Sequence, residues 1–165
     1  MSLNSTLLAE FQQEAATTRK LLALVPFEKG DYKPHEKSMS LIRLATHVAE
    51  IAGWWKECLK NDELDFAKGD FTPKVFNSTA ELLALFDDYV AKSTIILNET
   101  PESEFEKNWT MRQGEMIFFT LPKAQVVRTW CLNHWVHHRA QLGVYLRMLN
   151  IPIPGSYGPS ADDNG

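Results

Sequence analysis

The sequence predicts an all-α fold: a four-helix bundle of the up-down-down-up type, with a small β-hairpin before the last helix. Three observations carry this. Four stretches place apolar residues at three- and four-residue steps, the repeat of one buried helix face. Each is followed by a segment carrying proline or glycine. One shorter stretch alternates with period two around a glycine. At 165 residues the chain suits a single domain, 1–165, with one continuous core.

The first helix is expected from Ser5 to Leu24, with Leu8, Phe11, Ala15, Thr18 and Leu22 on its inner stripe. Pro26 ends it, and the segment Phe27 to Lys37, with Gly30 and Pro34, reads as a loop. The second helix is expected from Ser40 to Leu59 along Leu44, His47, Ile51, Trp54 and Cys58. A polar connection with Gly69 and Pro73 follows it. Ser78 and Glu81 form a capping box that opens the third helix, which carries Leu82, Leu85, Phe86, Tyr89, Ser93 and Ile96 and stops before Pro101. Trp109, Met111 and Gln113 alternate up to Gly114, and Met116, Phe118 and Thr120 alternate after it, which predicts the hairpin. The fourth helix begins near Pro122 and runs to Leu149 along Val127, Cys131, His134, His138, Leu142 and Tyr145, closed by Asn150 and Pro152.

Composition sets bounds on function. The net charge is -4 and no Lys/Arg-rich run occurs, so the electrostatic footprint of a nucleic-acid partner is missing. The N-terminus has no basic lead followed by an apolar core and does not read as a signal peptide. No stretch approaches the ~20 apolar residues of a membrane span. Two cysteines, Cys58 and Cys131, are too few for a disulfide framework, and the cytoplasm is the expected compartment.

The chemistry-bearing residues are histidines. His134 and His138 stand four apart, so one helix presents both imidazoles on one face. His47 lies on the inner stripe of the second helix, and bundles assemble metal sites from facing helices in this way. Neutral imidazole suits zinc, nickel or ferrous iron, and three protein ligands leave a coordination position for water or substrate. His137, three residues from His134, is a competing ligand, and His35 belongs to the surface or the site rim. The blander alternative is a bundle whose histidines are ordinary core residues. Trp135 stands where a zinc-protease helix needs Glu, and Leu44 stands where a di-iron bundle needs Glu before His47. Gly-rich phosphate loops and a Gly-x-Ser-x-Gly elbow are absent.

Among other residues, Cys58 and Cys131 read as small hydrophobes, with a fourth ligand or a reactive thiol as the alternative. Arg139 and Gln141 are placed to orient a ligand or a histidine's second nitrogen, or to serve surface or dimer contacts. Glu50, three residues from His47, is a candidate acceptor for that histidine. Trp54, Trp55, Trp130 and Trp135 read mostly as core, with one of them walling a pocket or, if exposed, lining a dimer face.

The chain resembles the DinB-like family of bacterial proteins. The resemblance rests on three segments. Tyr32-Lys33-Pro34-His35-Glu36-Lys37-Ser38-Met39-Ser40-Leu41 leads into Leu44-Ala45-Thr46-His47-Val48-Ala49-Glu50. Asn133-His134-Trp135-Val136-His137-His138-Arg139-Ala140-Gln141-Leu142 is similar to the family's second histidine motif. The tail from Tyr145 to Pro154, followed by Tyr157 to Asp162, looks like the family's ending. The resemblance implies a four-helix bundle holding a divalent metal on His47, His134 and His138, a homodimer, and a small-molecule substrate. Some relatives are transferases or isomerases that use a low-molecular-weight thiol, which makes a metal-dependent thiol transferase the first expectation. A general acid or base would come from His137, His35, Glu50 or Tyr145. A non-catalytic metal-binding module of the stress response is the alternative.

Overall fold

In the computed structural model, which describes residues 2–163, the chain is mostly helical with one small mixed sheet. Helix α1 spans Leu3–Leu22, with the Ser2 hydroxyl accepting from the Ser5 amide at 3.3 Å. Helix α2 spans Leu41–Ile51, capped by Ser40, and α3 spans Trp54–Lys60. Helix α4 spans Thr79–Glu99. Its capping box forms as the sequence implies: Ser78 Oγ accepts from the Glu81 amide at 3.2 Å, while Glu81 accepts from the Asn77 amide at 3.0 Å. The last helical stretch is α5 (Lys123–Val126), a π-helical segment (Val127–Asn133) and α6 (His134–Met148). Asn150, at φ 59°, turns the chain out of α6.

Three expectations need correcting. The second helix is not continuous to residue 59 but breaks at Ala52 and Gly53, between α2 and α3. The Gly53 amide turns back to the Glu50 carbonyl at 2.9 Å, and the freed Ala52 carbonyl accepts from Ser93 of α4 at 2.6 Å. A Cβ on Gly53 would lie 3.0 Å from the Tyr89 ring, so the glycine lets α4 approach the break closely. Next, the hairpin is part of a three-stranded sheet. Strands β2 (Asn108–Gln113) and β3 (Met116–Pro122) pair antiparallel around Gly114 (φ 58°), as the alternation implies. A third strand, β1 (Glu63–Asp65), adds parallel to β2 with Glu63 beside Thr110. Asp65 holds the turn by accepting from the Gly114 amide at 2.9 Å.

The last correction concerns phase. The π-helical turn shifts the core-facing seam of the last helix. Within it Val127, Cys131 and Leu132 are buried, and beyond it the seam runs through Trp135, Arg139, Leu142 and Leu146. His134 and His138 stand half-buried at the edge of that seam instead of inside it. Trp135 anchors the junction: its Nε1 donates to the Val48 carbonyl of α2 at 2.9 Å. Its rings stack on Phe11 with centroids 5.6 Å apart, and Phe11 meets Trp55 edge-on at 5.3 Å. This aromatic cluster locks α1, α2, α3 and α6 together and so fixes the distance between the two histidine-bearing helices. No helix among the described residues is long and apolar enough to cross a membrane.

Candidate metal centre

Helices α2 and α6 lie side by side, and their facing edges bring His47 against His134 and His138. The Nε2 atoms of His47 and His134 are 3.2 Å apart. Ring centroids lie 4.6 Å apart for His47 and His138, and 4.6 Å apart for His134 and His138. Ligand nitrogens of all three rings fall within 4.8 Å of one another, and among the described residues no Cys, Asp or Glu joins the group. Zinc–nitrogen bonds of 2.0–2.1 Å in a tetrahedral site separate two ligand nitrogens by about 3.3 Å. The His47–His134 spacing matches that edge, so the three residues fit one divalent metal.

Protonation points the same way. Burial, then the nearby His138 and His134 and the Arg43 charge, lowers the His47 pKa to about 3. Burial, then His138 and His137, lowers His134 to about 4. His138 is also lowered, chiefly by burial, although its contact with Gln141 pulls in the opposite direction. The rings are therefore neutral at pH 7, the form that binds metal. His138 Nδ1 lies 2.7 Å from Gln141 Oε1. With that oxygen accepting, the proton sits on Nδ1 and the Nε2 lone pair is left for a metal.

The walls differ in character. Trp54 meets His47 edge-on at 5.5 Å and His134 at 5.1 Å, and Trp130 backs Trp54 at 4.8 Å. Trp54 and Trp130 thus wall the site, while Trp55 and Trp135 are core. His137 is exposed, with its ring 4.8 Å from His138 and beside the cluster instead of in it. His35 is exposed on its loop, where its Nδ1 accepts from the Lys37 amide. Tyr145 donates to the Met39 carbonyl at 3.1 Å, and Glu50 pairs with Arg43. Cys131 is fully buried, with its Sγ 3.7 Å from Cys58 Sγ, a packed thiol pair outside the histidine group. Arg139, which sequence adjacency to His138 made a candidate for orienting a ligand, points into the core against Glu14.

A model of the DinB family matches residues 1–164. The chain belongs to the DinB family. A crystal structure of a DinB-like protein from Bacillus subtilis is similar to it at 18% identity and a TM-score of 0.71, covering 92% of this chain and 97% of that one. Another, from Bacillus cereus, is similar at 18% identity and a TM-score of 0.69, covering 91% and 95%. At this identity the likeness establishes the DinB-like fold alone. No curated protein matches the chain.

The neutral histidines of this DinB-family protein set its acid response. The unfolded chain takes up protons near the ordinary histidine value of 6.5, whereas His134 and His47 in the fold do so only near 4 and 3. Between those limits the unfolded state binds more protons, so stability falls as pH drops below 6.5. The thermal midpoint of the metal-free protein is expected to be several degrees lower at pH 5 than at pH 7. Replacing both His47 and His134 with Gln should flatten that dependence. An equal slope in the double variant would contradict the assignment.

Proposed function

We propose that this DinB-family chain is a single-domain four-helix bundle that holds one divalent metal, zinc, nickel or iron, on His47, His134 and His138. In this reading it acts as a metal-dependent transferase or isomerase that brings a low-molecular-weight thiol to a small substrate. The observation that carries it is the half-buried set of three imidazoles with no fourth protein ligand beside it among the described residues. A structural site is closed by protein, and the residue available to close this one, Cys131, packs on Cys58 instead.

When bound, the ion supplies Lewis acidity that lowers the pKa of a thiol or water at its open position. The chain's own contribution is to hold the donors. Gln141 fixes the His138 ring, and the aromatic wall of Trp54 and Trp130 excludes water from one side. His137 is the exposed imidazole nearest the cluster and is the group positioned to exchange protons with solvent. The reading includes a homodimer in the cytoplasm with a small molecule as partner, and sedimentation analysis checks the dimer.

The test uses protein loaded with cobalt(II) and titrated with 2-mercaptoethanol. A thiolate-to-metal charge-transfer band in the near ultraviolet is expected. If cobalt binds and no band develops, the thiol reading fails and the non-catalytic metal-binding module takes its place.

A further inference from the structure

We propose that Arg43 is an anion-binding arm of the histidine centre, so that the thiol taken by this site carries a carboxylate. The inference rests on the thiol reading above and adds a substrate class to it.

Arg43, His47 and Glu50 stand at i, i+4 and i+7 of α2, on one face of the helix. Arg43 Nη1 approaches Glu50 Oε2 to 3.6 Å, so the two side chains reach toward each other across the turn that carries His47. His47 stands between them on that face, so the guanidinium lies beside the His47 edge of the centre.

The pair is incomplete. Elsewhere in this molecule Arg19 grips Asp87 at 2.8 and 2.9 Å, and Arg128 grips Glu10 at 2.7 and 2.8 Å, both on more exposed surface. Arg43 stands off from Glu50 beyond hydrogen-bond distance, although the Glu50 side chain is only 20% exposed. Its Nη1 is shielded from solvent and makes no hydrogen bond among the described residues. Glu50 is meanwhile engaged by the Lys74 amide at 3.3 Å. A shielded guanidinium nitrogen that makes no hydrogen bond costs stability. The planar fork matches a carboxylate in two parallel hydrogen bonds. With 36% of its side chain exposed, Arg43 is reachable by a ligand entering from solvent.

The probes are thioglycolate and its neutral counterpart, mercaptoacetamide, titrated into the cobalt(II)-loaded full chain and followed by the charge-transfer band. Thioglycolate is expected to bind about tenfold to a hundredfold more tightly. Arg43→Met should bring that ratio to about one, and Arg43→Lys should retain part of it. Glu50→Gln, which releases the guanidinium from its weak partner, should raise the ratio, and it tests the proposal even if Arg43→Met does not fold. Equal binding of the two probes to wild type, or a ratio unchanged in both Arg43→Met and Glu50→Gln, would overturn the role of Arg43 while leaving thiol binding intact. A cobalt spectrum that neither probe alters removes the thiol reading, and this inference with it.

Discussion

His134→Ala is expected to hold no more than a trace of metal under conditions in which the wild type, prepared without a histidine tag and challenged with zinc or nickel, holds close to one ion per chain. The reason is the donor count. His47 and His134 supply the pair of nitrogens already at metal-ligand spacing, 3.2 Å apart, and His138 alone remains on α6 to face His47. The variant should fold, because His134 is half-buried at the edge of the core seam and its neutral ring is held against its tendency to protonate. Stability reports the same site. A ligand that binds only the folded state adds about 4 kcal/mol at a thousandfold excess over its Kd. Metal should therefore raise the wild-type thermal midpoint and leave that of His134→Ala in place. Elemental analysis together with thermal denaturation checks both statements. Wild-type protein that takes up no zinc and no nickel would refute the three-histidine site.

The histidine cluster was legible because its information is local. His134 and His138 share a helix face by a spacing of four, and a π-helical turn that ends just before them leaves that relation untouched. The same turn shifted everything that depended on counting through it. Counting by threes and fours from Val127 placed His134 and His138 in the core and Arg139 outside, whereas the observed seam takes Trp135 and Arg139 inward. Nothing in Val127–Asn133 marks a π-helix in the sequence. The break after Ile51 had a visible signal in Gly53, but the close approach that favours a glycine there, the Tyr89 ring on another helix, is not written in the local sequence. Strand β1 has three residues, two of them acidic, and its pairing with β2 is a contact between distant segments that no alternation pattern encodes. Arg43 could have been found by arithmetic alone, four residues before His47. What gives it meaning is the missing hydrogen bond, which depends on where α2 places Glu50 and not on sequence spacing.

The largest effect on stability is expected at the buried ion pair of Arg139 and Glu14, which joins α6 to α1. Both side chains are nearly sealed, at 3% and 8% exposure, and they are in direct contact. Arg139 also donates to the Glu14 carbonyl and to Thr18 Oγ1, each at 3.2 Å, and to the Tyr157 hydroxyl at 2.6 Å. Tyr157 in turn reaches Glu14 Oε2 at 2.9 Å, so the C-terminal tail is tied to the same pair. Removing one member leaves the other charge buried without its partner, which costs about 3–5 kcal/mol. Glu14→Ala and Arg139→Ala should each lower the urea midpoint accordingly. Tyr157→Phe, which removes the hydroxyl's hydrogen bonds to Arg139 and Glu14 and keeps the ion pair, should cost about 2 kcal/mol. The double variant Glu14→Leu with Arg139→Met separates the explanations. If the damage in the single variants comes from an orphaned charge, replacing both by apolar residues restores much of the loss, since buried pairs and hydrophobic substitutes of similar size are often equivalent. Additive losses in the double variant would mean that each side chain acts through its own packing. Arg139 follows His138 directly on α6, so a recovered double variant that still binds one metal would show that the core fixes the helix phase without needing the charge itself.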